Sequence, residues 1–229
     1  SSLTLDSGAI VSHLAAAQSE ELVAHSIILR NSGAAQSASG SNAGEFILSA
    51  KRLDATASAA PQNSGTLTLQ DGAQYLAGFG NVDLNAGTQI VASGNGSLTV
   101  DQAAGGALAL RSARVTALDK VRYSIDGGAG AVDILALASS SESGSTLPET
   151  SSRGAQLTIR GASVAQLGKL SLRGGSVTLD ATQGDVVLGS DAAGAPAAVI
   201  DVSGWTERFA DQTRYYPGGS VALQAEQGS

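Results

Sequence analysis

The chain has no cysteine and no methionine in its 229 residues, only four prolines, and just eight Phe, Trp and Tyr side chains. The missing cysteine excludes a disulfide framework, a Cys-ligated zinc site and a thiol nucleophile together. Thirteen Lys and Arg are spread thinly against twenty Asp and Glu, a net charge of −7. With no basic cluster, the footprint of a nucleic-acid binder is missing and an anionic membrane surface repels the chain. No apolar run approaches the ~20 residues of a membrane-spanning helix, so membrane insertion is not expected. Aromatics at 3% are too few for the core of an ordinary globular enzyme of this length.

What is abundant is small. Glycine contributes 29 residues, and the 42% apolar fraction is mostly Ala, Leu and Val, a composition suited to a long, thin core. A repeat is visible by eye: "LTLDSGAIV" from Leu3, "LTLQDGAQYLA" from Leu67, "VDLNAGTQIVA" from Val82, "LALRSARVTA" from Leu108, "LTIRGASVAQL" from Leu157 and "VTLDATQGDVVL" from Val177. Each begins with apolar–polar–apolar alternation, passes a polar residue and a small-residue turn, and ends in a second short apolar stretch. Asp6, Gln70, Asn85 and Asp180 share the position after the first stretch. Period-two alternation marks a strand with one buried face. The Asp, Asn and Gly that follow supply turns.

Short strands, small-residue turns and few aromatics predict an all-β chain, a right-handed parallel β-helix (β-solenoid) with surface loop insertions. Each coil contributes two or three strands, and like residues stack above like. The spacing is uneven: 15 positions from Leu67 to Val82, 16 from Val82 to Leu98, nine from Val177 to Val186. That pattern predicts two faces of similar length and one corner that accepts insertions, near 12–42, 54–64, 138–153 and 203–219. The interior is expected to be too narrow for large rings. Hairpin signals are scarce, limited to Asp71-Gly72, Asn95-Gly96 and Asp126-Gly127. Only "HLAAAQSEELVAH" from His13 reads as a short helix or surface loop. The chain opens and closes on strand patterns, so residues 1–229 are expected to be one β-helix fragment of a longer polypeptide.

The "GxLxLxAG" grammar, the low aromatic content and the terminal "IDVSGW…YYPGGSVALQAEQG" resemble the filamentous haemagglutinin-like large exoproteins of Gram-negative bacteria, the passengers of two-partner secretion. The style of repeat covers most of the chain; the particular motif covers only the final thirty or so residues from Val199. The resemblance implies a β-helical shaft, export through an outer-membrane two-partner transporter, and a secreted or cell-surface location with a role in adhesion. It carries over no catalytic residue and no cofactor.

Half of the aromatic residues fall in one insertion, "DVSGWTERFADQTRYYPGGS" from Asp201. Exposed Trp and Tyr stack on the apolar faces of sugar rings, while Arg and Asp bond the hydroxyls. Trp205, Arg208, Asp211, Arg214, Tyr215 and Tyr216 are therefore candidate ligand-binding residues for a host glycan or cell-surface protein. The alternative is that the loop folds back and its rings cover a flank of the solenoid. His13 and His25 flank Glu20 and Glu21, but the spacing matches no metal motif and a solvated insertion is the simpler reading. "LPETS" from Leu147 lacks the Gly of a sortase signal. "GGAGAVDIL" from Gly127 has Val132 where a calcium-binding nonapeptide needs Asp, so it reads as a tight turn, as does Asn95-Gly96-Ser97.

Three function classes follow. The first is a stalk or adhesive segment of a surface exoprotein, not an enzyme. The second is a structural spacer for a distal effector or toxin domain. The third is a β-helical polysaccharide-active enzyme, which requires Asp180, Asp185, Asp191 and Asp201 to align on successive coils at carboxylate-pair separation.

Overall fold

The computed structural model describes residues 1–6, 19–31, 44–50, 65–102, 104–136, 150–189 and 197–228. These residues contain no helix, and their strands fall into three parallel sheets and one hairpin. The first sheet takes β1 (Ser2–Leu5), β3 (Ser26–Leu29), β5 (Thr66–Leu69), β8 (Gln89–Ala92), β11 (Val115–Ala117), β16 (Lys169–Ser171) and β19 (Val199–Asp201), in that order. The second takes β6 (Gly72–Ala77), β9 (Gly96–Asp101), β12 (Arg122–Asp126), β14 (Gln156–Gly161), β17 (Ser176–Ala181) and β22 (Ser220–Ala225). The third takes β2 (Ser19–Ala24), β4 (Glu45–Ala50), β7 (Asn81–Ala86), β10 (Ala107–Ser112), β13 (Ala131–Leu135), β15 (Val164–Gln166) and β18 (Val186–Leu188). From β5 to β13 the chain visits first, second and third sheet in strict rotation. Each strand pairs with its counterpart one turn away, an arrangement compatible with a β-solenoid.

Register explains the core. Along the first sheet Leu3, Ile27, Leu67, Ile90, Val115, Leu170 and Ile200 are successive partners. Along the third, Phe46, Val82, Leu108, Val132, Val164 and Val186 align in the same way. Alternate residues of every strand thus point into one shared interior. Burying each Leu, Ile or Val there contributes about 1.5–3 kcal/mol. At the outermost turn the pattern runs out: Leu188, Val221 and Leu223, on β18 and β22, are exposed although their partners Gln166, Val177 and Leu179 are buried.

Several expectations need correcting. Leu67, Val82 and Leu98 do not sit on successive coils but on the first, third and second sheets. A coil has three faces, not two. Its length is read from partners such as Val82, Leu108 and Val132, which are 26 and 24 residues apart. The expected insertion at 12–42 is partly wrong: Ser19–Ala24 and Ser26–Leu29 are strands of the third and first sheets, and the helix or loop expected from His13 is replaced over its second half by β2. Apolar Leu22, Ala24, Ile27 and Leu29 have coil partners to bury against, which decides the matter. Residues 13–18 and 54–64 lie outside the described residues, as do 138–149 of the third insertion.

The interior also holds rings. Phe46, Phe79 and Tyr123 are buried, with the two Phe rings stacked at 4.9 Å between centroids. Tyr123 fits because its partners in the two preceding coils, Gly96 and Gly72, have no side chains. Its hydroxyl reaches the Gln74 Oε1, two coils away. The amide of Gln74 in turn donates toward the carbonyls of Gln70, Asp71 and Gly72 at 3.2–3.3 Å. Burial pushes the Tyr123 phenol well above its ordinary pKa.

Among the described residues no strand of the first sheet falls between β13 and β14, and β11 meets β16 through the single pair Val115–Leu170. Fully buried Ser152 sits beside that pair. Its hydroxyl donates to Ala117 O at 2.5 Å, and Thr116 Oγ1 donates to Ser171 O at 2.7 Å. Side-chain hydroxyls here satisfy backbone carbonyls.

On the outer surface of the third sheet, Asp83 and Asp133 flank Ala109 from either side, and Arg111 Nε bonds Asp83 at 3.3 Å. Burial raises both carboxyl pKa values, with Arg111 opposing and mutual repulsion adding to Asp133. A carboxyl whose folded pKa is raised weighs against the fold once ionised. That penalty vanishes when pH falls below the unfolded value of about 3.9.

Two outcomes follow. Gly96→Ala, an exchange that favours strands by roughly 0.5–1 kcal/mol elsewhere, here drives a Cβ against the carbonyl of Gly72, the second glycine in the row of Tyr123. It lowers stability by about 1–3 kcal/mol in urea titration; an unchanged midpoint contradicts the ring-over-glycine packing. Asp133→Asn raises the melting temperature at about pH 7 and leaves it unaltered near pH 3. Equal melting temperatures at both values remove the burial argument.

Candidate functional site

The four-aromatic insertion folds as the one antiparallel element among the described residues. Strands β20 (Trp205–Phe209) and β21 (Gln212–Tyr216) pair Trp205 with Tyr216, Thr206 with Tyr215, Glu207 with Arg214 and Arg208 with Thr213. The turn is Ala210-Asp211, and Ala210 adopts a left-handed φ of 54°, at a cost of about 1–2 kcal/mol. The hairpin leaves the corner after β19 and returns through Pro217-Gly218-Gly219 to β22.

Strand alternation divides the candidate residues. Trp205, Arg214 and Tyr216 lie on one face with Glu207. Arg208 and Tyr215 lie on the other, and Asp211 is in the turn. Trp205 and Tyr216 stack at 4.7 Å between centroids and 18° between planes. The Tyr216 hydroxyl donates to Glu207 Oε2 at 3.0 Å, and Arg214 lies 5.7 Å from the Tyr216 ring centre. Tyr215 projects into solvent at 77% exposure. The structure therefore assembles half of the predicted set on one face and sends two members the other way, so no single ligand is held by all six.

The assembled face is seated on the coil. A Cβ at Gly174, whose φ is +70°, lies 2.6 Å from Trp205 Cζ3: the indole rests where only glycine leaves room. Arg153, in the turn before β14, places its guanidinium 5.3 Å from the Tyr216 ring centre. Arg173 Nη2 donates to Gly204 O at 3.2 Å. The inner face of the insertion packs on the coil, and its outer face is open. Arg153, Arg173 and Gly174 were not legible from the sequence, because they lie 31 to 63 positions before Trp205 or Tyr216 and become neighbours only through coil stacking.

Between hairpin and coil lies an open cleft of about 320 Å³ lined by Thr150, Ser151, Arg173, Trp205 and Thr206. Two carboxylates sit behind it. Burial tends to raise the Asp201 carboxyl, but the Ser203 hydroxyl and backbone N–H, with Arg173 and Lys169, outweigh that and hold it below the usual range. Asp119 is held low in the same way, burial being outweighed by Ser151 and by the backbone and charge of Arg153. Both are therefore ionised at neutral pH.

The described members of the carboxylate set that an enzyme would require lie apart. Asp180 is on the second sheet, 3.4 Å from Arg160 Nε, whereas Asp201 is on the first. Asp185 lies in the corner before β18, and Asp191 falls outside the described residues. His25 occupies the corner between β2 and β3, its N–H on Ser1 Oγ at 3.3 Å; His13 lies outside the described residues. The nonapeptide-like run turns at Gly127, where Gly130 N–H returns to Gly127 O at 3.0 Å.

The chain matches no family model, no curated protein and no solved structure.

Seating on Gly174 is testable through the chain's sole tryptophan. Gly174→Ala dislodges the ring and shifts Trp205 emission to longer wavelength, while the far-ultraviolet circular dichroism of the coil persists. An unshifted emission spectrum shows that the indole does not depend on that glycine.

Proposed function

We propose that the chain is a shaft segment of a filamentous haemagglutinin-like surface exoprotein, a right-handed parallel β-helix holding an adhesive hairpin away from the cell that exports it. The right-handed sense is the one taken by about 98% of crossovers between parallel strands in a sheet. In this reading the chain is not an enzyme and uses no cofactor. It leaves the cell through an outer-membrane two-partner transporter, acts as a secreted or surface-bound protein, and meets a host glycan or cell-surface protein.

The observation that carries the proposal is the contrast between coil and hairpin. In-register ladders make the coil stiff and repetitive, whereas the hairpin departs from the pattern and carries an exposed ring, Tyr215, and two exposed arginines, Arg208 and Arg214. Weak contacts of this kind become effective through avidity when many shafts are displayed together. The spacer reading draws on a different fact: Trp205 and Tyr216 are engaged in packing, which needs no ligand.

Beads coated with the chain attach to epithelial cells, and replacing Arg208, Arg214 and Tyr215 by alanine lowers attachment about tenfold, the equivalent of 1.4 kcal/mol per contact site. Undiminished attachment favours the spacer. Release of reducing ends from a polysaccharide incubated with the chain points to the enzyme instead.

A further inference from the structure

We draw no further inference here: the strongest candidate, the apolar end of the coil at β18, β19 and β22, where Leu188, Val199, Val221 and Leu223 are exposed, carries nothing because nothing in the structure shows what covers it.

Discussion

Every feature of this chain depends on register between parallel strands one coil apart. When Val82, Leu108 and Val132 are partners, so are the residues on either side of each, and a single shift would turn every interior side chain outward. The three sheets share one interior, so none can slip alone. The corners reinforce the alignment with side-chain clips: Asp71 accepts the N–H of Asn95 at 2.9 Å, Asn95 that of Arg122 at 2.7 Å, and Asp119 that of Arg153 at 2.8 Å. Ion pairs such as Arg30–Asp6 also run from coil to coil, but exposed pairs of this kind contribute little. Apolar rows and backbone ladders carry the stability.

Stacking also sets the terms for exceptions. A large ring is admitted only where neighbouring coils yield their share of a row, as Gly72 and Gly96 do for Tyr123. Where β11 and β16 meet through a single pair, side-chain hydroxyls take over backbone hydrogen bonds, as those of Ser152 and Thr116 do. The same rule positions the hairpin: Gly174 gives up a side chain, and Trp205 fills the place. In each case the accommodating residue belongs to a different coil from the residue accommodated. Substitutions at these glycines therefore report on long-range stacking and not on local backbone preference.

That separation explains what could and could not be read from the sequence. Alternation in "LTL", "VDL" and "VTL" marked strands, and similar units along the chain marked parallel stacking, since both are local signals. The number of faces was misread, because units on different sheets look alike: Leu67, Val82 and Leu98 have the same surroundings in sequence and occupy three sheets. β2 and β3 were hidden in a stretch rich in Ala, Glu and Gln, where coil partners outweigh helix propensity. Turn signatures misled as well. Asp71-Gly72, Asn95-Gly96 and Asp126-Gly127 turn corners between parallel strands, whereas the actual hairpin turns on Ala210-Asp211, which has no signature. At the site, the sequence located the right insertion but not Arg153, Arg173 or Gly174, whose proximity arises entirely from winding.

A regular coil is poorly suited to recognition, since its faces repeat every turn and offer many equivalent weak surfaces. Selectivity requires a place where the repeat is broken and groups from several coils converge. In this chain the stretch just before β14 and the hairpin that leaves after β19 meet at the same corner, through Arg153 on Tyr216 and Trp205 on Gly174. Together they enclose a cleft lined by residues from three separate stretches of chain. An insertion of the same aromatic residues elsewhere on the coil would lack Gly174 and Arg153 as neighbours, so the winding of the coil is as much a part of this arrangement as the rings that first drew attention to it.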